Sequence, residues 1–347
     1  MHEMPEEIRK VLAEARKRKA SDVHLVVGAP VTFRVDGQLK KVGQLELTPE
    51  VCRRLCYGLL TPELIERFEK SGDLDLMLGD DEGRYRINIS RNNSFVGGVI
   101  RMLPERPRLL EDLHLPPIVD ELTTRSKGLV LLTGSTGQGK TTTLSAMIDR
   151  INRESCRHIV TIEDPIENLH RNYKSIVRQR EVGKDTQSFA AALRAALRQD
   201  PNVIAIGEMR DWETIRIALT AAETGVLVFS TLHVISIDKI IERLLSYVPI
   251  EEEGHIRNLL ADCLQGIIHQ ELLPTTDGDK RIACEVMVAT NAVRNLIRRR
   301  GAFMLRSTIQ TGARAGMVSM PQSVAELLKE GVIEPEVAES VLFNYAM

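Results

Sequence analysis

The chain is 347 residues long, 43% hydrophobic and 27% charged, with a formal net charge of -2. That length accommodates two domains, since single domains run about 100 to 200 residues, and the composition excludes a disordered or fibrous chain. The near-neutral balance gives no sign of a polyanion partner and argues against nucleic acid.

The first stretch, MHEMPEEIRKVLAEARKRKA, has helical spacing and lacks the apolar centre of a signal peptide. No later stretch approaches the roughly 18 to 20 unbroken apolar residues of a membrane-spanning helix. The expectation is a cytoplasmic chain whose membrane role, if it has one, is peripheral. Short strand-like runs follow, HLVVG, VTFRVDG and RYRINIS, around a helical stretch at TPEVCRRLCYGLL. They predict a small α+β domain over residues 1–103. Pro104, Pro107, Pro116 and Pro117 then interrupt regular structure, which marks 104–117 as a proline-rich linker.

From 118 onward, apolar runs of buried-strand type (GLVLLTG, HIVTIED, NVIAIGE, GVLVFSTLH) alternate with helical patterns at DTQSFAAALRAALRQ and DWETIRIALTAAETG. This predicts an α/β domain with a largely parallel sheet over 118–347. From about Ile240 the pattern turns helical, through IIERLLSYV, HIRNLLADCLQGIIHQ, NAVRNLIRRRG and SVAELLKEG. Cys52 and Cys56 stand four apart and the other three cysteines are scattered, so neither a CxxC zinc ribbon nor a disulfide framework is expected.

Gly134 to Thr141 fits G-x-x-x-x-G-K-[ST], after an apolar strand and before a helix. Glycines let such a loop curl its N–H groups toward phosphate oxygens, and the following helix start favours negative charge. Gly134, Ser135, Thr136, Gly137, Gln138, Gly139, Lys140, Thr141 and Thr142 are therefore the nucleotide-binding candidates. Lys140 would reach the β and γ phosphates and Thr141 would ligate Mg²⁺. Glu163 and Asp164 follow one apolar run, Glu208 a second and His233 a third. In open parallel sheets ligands lie beyond the carboxyl ends of the strands, so these groups could converge on one nucleotide. Each also has a plain reading: a turn residue before Pro165, a solvated strand-end carboxylate, a structural histidine.

At these residues the sequence resembles the secretion ATPase superfamily of type IV pilus and type II secretion systems, most closely the PilT-type pilus retraction ATPases. GSTGQGKTTT resembles the Walker A motif, TIEDPIE the aspartate box, VIAIGEMRD the Walker B motif and STLH the histidine box, and SDVHLVVGAPVTFRVDGQL is similar to the family's N-terminal domain. The resemblance covers nearly the whole chain. It implies a PAS-like N-terminal domain, a RecA-like P-loop ATPase domain and a homohexameric ring. It further implies Mg²⁺-dependent ATP hydrolysis. Glu163 would be the base, Glu208 would hold the metal through water, and His233 would read the γ-phosphate. The division of labour between Glu163 and Glu208 stays open, because Gly207 stands where many Walker B motifs carry Asp.

Arg86 and Arg101 match positions that face nucleotide across a subunit interface in the family. The implied load is the inner-membrane platform protein of a pilus machine, reached from the cytoplasmic face. AVRNLIRRR resembles the retraction family's AIRNLIRE motif, with Arg299 in place of its Glu. Pro321 replaces a usual Asp, and Ser135 and Gln138 replace a common Pro and Ser. By its spacing alone, AVRNLIRRR is an amphipathic helix with a basic solvated face. Extension and secretion ATPases usually carry an extra N-terminal domain and a four-cysteine zinc motif, which favours retraction for a chain that has neither. A pilus-extension or type II secretion assembly ATPase, a low-turnover regulatory retraction paralogue and a DNA translocase are the competing outputs.

Overall fold

Ile8, Leu12 and Ala15, spaced four and three apart, place one buried stripe on α1 (Glu6–Lys17). The computed structural model describes residues 4–80, 83–103 and 106–346, so Pro104 lies outside the described residues. Two units divide the chain, Met1–Glu105 and Arg106–Met347.

In the first unit, α1 leads into β1 (Asp22–Leu25), β2 (Thr32–Val35) and β3 (Gln38–Lys41). Two helices follow, α2 (Pro49–Tyr57) and α3 (Pro62–Ser71), each opened by a Thr-Pro pair. Thr48 Oγ1 accepts the N–H of Val51 and Thr61 Oγ1 that of Leu64, caps worth about 1 kcal/mol each. The proline after each fills a position whose N–H would have no helical partner. Then come β4 (Asp73–Asp80), β5 (Gly83–Asn92) and β6 (Phe95–Leu103). The six strands form an antiparallel sheet in the order β3-β2-β1-β6-β5-β4. Tyr85, Ile87 and Ile89, at strand period two, put one face of β5 into a core shared with α1 and α2.

The second unit begins with Leu110 and Leu113 buried in its core, ahead of α4 (Pro117–Thr123). Its parallel strands are β7 (Gly128–Thr133), β8 (His158–Glu163), β9 (Ile176–Glu181), β10 (Val203–Ile206) and β11 (Leu227–Leu232). Between them run α5 (Lys140–Glu154), α6 (Phe189–Ala196) and α7 (Trp212–Glu223). After β11 come α8 (Ile237–Leu245) and α9 (Glu253–Cys263), then β12 (Leu264–Pro274) and β13 (Lys280–Val288). The chain closes with α10 (Asn291–Arg298), α11 (Leu305–Thr311), α12 (Met320–Lys329) and α13 (Pro335–Ala346). The sheet order is β13-β12-β7-β11-β10-β8-β9, parallel throughout except for the β12–β13 pair.

The apolar runs lack alternation because both faces of this sheet are covered. Leu129 and Leu131 pack with α6, α7, α8 and α9 on one face, while Val130 and Leu132 pack with α4 and α5 on the other. The helical C-terminal portion is present, but the helical reading of HIRNLLADCLQGIIHQ holds only to Cys263. Leu264–Pro274 is strand, buried between β7 and β13. Gly266 is the one breaker near the change, at a register shift in the pairing with β7, and a strand buried on both faces has no period that separates it from a buried helix. Among the described residues, no helix is long and apolar enough to cross a membrane.

Candidate nucleotide site

Residues 134–139 join β7 to α5 in a loop that only glycine could close. Gly134, Gly137 and Gly139 have φ of 140°, 83° and 80°, values glycine adopts without steric cost. At Gly134 the requirement is double, because a Cβ there would stand 2.5 Å from the Gln270 carbonyl oxygen. Above Gly137 nothing lies within 4 Å of such a Cβ, so the tip of the loop is open. Ser135 and Thr136 are exposed there; Thr141 is exposed and Thr142 half-buried on the first turn of α5.

Lys140 is 6% exposed. Its ammonium donates to the carbonyls of Gly134 at 2.8 Å and Ser135 at 2.7 Å. Burial pulls its pKa below the usual lysine value, and Glu208 opposes the shift. A poorly hydrated cation at a helix start, beside an open glycine loop, suits a phosphate group.

His233 and Glu208 reach the same edge, because β11 runs parallel beside β7 and β10 beside β11. His233 Nδ1 lies 3.4 Å from Lys140 Nζ and 3.4 Å from Thr136 Oγ1. Its Nε2 lies 3.6 Å from Glu208 Oε2. Burial holds the imidazole pKa below its ordinary value; Lys140 adds to the shift, Glu208 opposes it and Arg210 adds a little more. The ring is therefore neutral near pH 7. Arg210 pairs with the other Glu208 oxygen.

Glu163 closes β8, on the far side of β10, three strands from β7, about 14 Å across at a ~4.8 Å strand spacing. Its carboxylate accepts the Thr161 hydroxyl at 2.6 Å and the Gln179 amide at 3.1 Å. Gly207 lies against it: a Cβ there would stand 3.3 Å from Ile162 O and 3.6 Å from Glu163 Cα. Thus a glycine before Glu208 lets the two acidic strand ends lie side by side. The structure joins Lys140, Thr136, His233 and Glu208 in one cluster and sets Glu163 at its flank.

Arg86 and Arg101 belong to the first unit, directly opposite each other on β5 and β6. Arg101 Nε donates to Asp22 Oδ1 at 2.9 Å, and Arg34 lies 3.6 Å from the other oxygen. Asp22 is buried, so Arg101 has a local partner. Arg86, on the same sheet face, has no ion pair among the described residues.

The family model described as type II/IV secretion system protein matches residues 2–330. The chain belongs to that family. It is 41% identical over 331 residues to the type IV pilus retractation ATPase PilT of Pseudomonas aeruginosa, covering 95% of this chain and 96% of that one. It is also 40% identical over 308 residues to a twitching motility protein of Neisseria gonorrhoeae, covering 88% and 82%. Among solved structures, the pilus retraction motor PilT with bound ADP superposes with a TM-score of 0.88 at 43% identity over 95% of both chains. The Legionella pneumophila ATPase DotB does so at 0.86 and 26% identity, over 99% of this chain and 97% of that one. The second unit is an ATPase domain of this family, and the fold class expected from the motifs is the one observed.

In this type II/IV secretion system family chain, several groups around the site were not legible as motifs. Gln270 and His269 come from β12, whose pairing sets His269 beside Thr133. His269 Nδ1 lies 3.2 Å from Thr133 Oγ1, and burial, with Lys140 and Arg306 nearby, pushes the imidazole down to about 4. No local pattern signals these residues, since they arrive through a strand some 130 positions away. Gln179 would have needed the β8–β9 pairing to be seen beside Glu163.

The basic helix α10 docks on α9: Arg294 donates to the carbonyls of Ala261 and Asp262, and Arg298 pairs with Asp262. Arg299 is the C-cap residue just after α10. Pro321 sits in the first turn of α12, behind a Ser319–Gln322 capping box, where a proline costs no helical hydrogen bond.

Proposed function

We propose that this chain is an ATP-hydrolysing motor that powers type IV pilus retraction. The observation that carries the chemistry is the Lys140–His233–Glu208 cluster at the mouth of the glycine loop. The observation that carries the load is the 41% identity to the pilus retractation ATPase along 95% of the chain.

Loop N–H groups and Lys140 bind the ATP phosphates, and Lys140 exchanges its two carbonyl partners for phosphate oxygens. The buried ammonium, open loop tip and exposed Thr141 hydroxyl fit a phosphate–magnesium pair. Among the described residues no cluster of three or more His, Cys, Asp or Glu could hold a metal, so phosphates and water would complete the shell, as is usual for Mg²⁺. Thr141, and Glu208 through water, would hold that ion, which when bound neutralises charge on the phosphate oxygens.

Glu163 orients the attacking water and takes its proton. The neutral His233, touching both Lys140 and Glu208, donates to the γ-phosphate and loses that bond when phosphate leaves. Arg86 and Arg101 act across the interface of a homohexamer, where an added cation stabilises the transition state. ATP, ADP and empty sites favour different placements of the two units, and successive hydrolysis becomes motion delivered to the membrane platform of the pilus. The joint in this reading lies in the part of the proline-rich stretch 104–117 that precedes Leu110, since Leu110 and Leu113 already pack in the core of the second unit, and the motor works at the inner face of the cytoplasmic membrane.

Phosphate release by the purified chain with Mg²⁺ and ATP tests the enzymatic part. Turnover that disappears with EDTA and with Lys140→Ala is expected. Equal release by wild type and Lys140→Ala would overturn it.

A further inference from the structure

We infer that Gln138 and Gln270 form a reciprocal bracket that positions the phosphate loop, an inference that rests on the nucleotide-binding reading above. Gln270 is fully buried in the middle of β12. Its Nε2 donates to the main-chain carbonyl of Gln138 at 2.7 Å. In return the Gln138 side-chain carbonyl accepts the main-chain N–H of Leu272 at 2.5 Å. Each side chain thus holds the backbone of the other's segment, across 132 positions of sequence.

The consequence lies in the next peptide. The bond from Gln138 to Gly139 is trans, so its C=O and N–H point in opposite directions. With the Gln138 carbonyl fixed toward β12, the Gly139 N–H is fixed away from β12. Gly139 sits at φ 80°, a residue with many accessible conformations, and among the described residues no other side-chain hydrogen bond holds this peptide. Without the bracket that peptide can rotate, and a donor for the nucleotide phosphate loses its direction.

The backbone of Gln270 acts in the same place, since its carbonyl blocks any side chain at Gly134. Gln138 is long enough to reach Leu272; a serine at that position, the residue common in the family, could not. This chain therefore has a second tie between loop and β12 that a serine loop lacks. Gln270 and Gln138 are positioning residues in this account, and neither contacts the reacting atoms through its side chain.

The test uses the full chain in its assembled state, with a fluorescent ADP analogue for equilibrium binding and steady-state hydrolysis for KM and kcat. Gln270→Met, which keeps length and removes the donor, is expected to weaken ADP about tenfold, the effect of one buried hydrogen bond. KM for ATP should rise in step, and kcat should fall by a smaller factor. Gln138→Ser, at a half-buried position that needs no repacking, should weaken ADP about threefold. The double variant should lose less than the product of the two, because both act on one loop. Wild-type ADP affinity in both single variants, or a fall in kcat with affinity unchanged, overturns the bracket alone. Failure of the wild-type chain to bind ADP would overturn the nucleotide reading, and the bracket with it.

Discussion

His233 Nε2 lies 3.6 Å from Glu208 Oε2, so the ends of two neighbouring strands meet at one imidazole. The other nitrogen of that ring faces Lys140 at 3.4 Å. A neutral ring so placed can offer one N–H to a phosphate or to the Glu208 carboxylate, and the choice depends on what occupies the loop. His233→Ala is expected to lower kcat about a hundredfold, the usual effect of losing one donor to the transition state, while ADP still binds. Binding and turnover measured on one preparation check this, and unchanged kcat removes the sensing role.

Two acidic groups compete for the role of base. Glu163 stands at the flank of the cluster, while Glu208 contacts His233 and pairs with Arg210. Glu163→Gln keeps the size and the Thr161 contact, and should cut kcat about 10²- to 10³-fold with ATP affinity retained. If Glu208→Gln shows that pattern and Glu163→Gln turns over as wild type, the roles are exchanged.

Arg86 and Arg101 differ in local attachment. Arg101 is tied to the buried Asp22 at 2.9 Å, so Arg101→Ala should lower both turnover and the stability of the first unit. Its guanidinium is 62% exposed, which limits the stability loss to about 1 kcal/mol. Arg86→Ala should leave stability unchanged and reduce ATPase of the assembled ring about 10³-fold if it acts across an interface. Thermal unfolding beside ATPase, at several protein concentrations, separates the two. Full activity of both variants removes the cross-interface role.

His170 supplies a pH test. It is buried near Asp149, which opposes the shift, and burial pushes its pKa from 6.5 down to about 4. Its Nε2 lies 3.2 Å from Ser145 Oγ on the helix that follows the glycine loop. The unfolded chain takes up this proton near pH 6.5 and the folded chain only near 4. Stability from this group is therefore complete above about pH 6.5 and lost as pH falls toward 4, with about 2 kcal/mol gone at pH 5. In denaturant titrations of the transition that reports the second unit, the advantage of wild type over His170→Asn should shrink by that amount from pH 7.5 to pH 5. A constant difference would contradict the buried neutral imidazole.

What could be read in the sequence was local. The glycine loop, the strand-end carboxylates and His233 each sit within a few residues of an apolar strand, and parallel pairing brings those strand ends to one edge. The strand β12 was misread because LQGIIHQELL follows α9 directly, and its single glycine, Gly266, lies inside the strand at a register shift. Gln270 and His269 were hidden by the same misreading, since their proximity to Gly134 and Thr133 is a product of sheet pairing alone. Pro321 stood out in the sequence as a departure, yet in the first turn of α12 it is an ordinary helix-start residue. Arg299 caps the C-terminus of α10, and among the described residues no contact of its side chain accounts for the charge reversal.

The most direct test of the retraction motor is deletion of the gene in its host, followed by counting surface pili and measuring surface translocation on the same cells. Cells that keep their pili and stop moving, and recover with the wild-type gene but not with Lys140→Ala, are the expected result. Bald cells would contradict retraction and assign the motor to assembly.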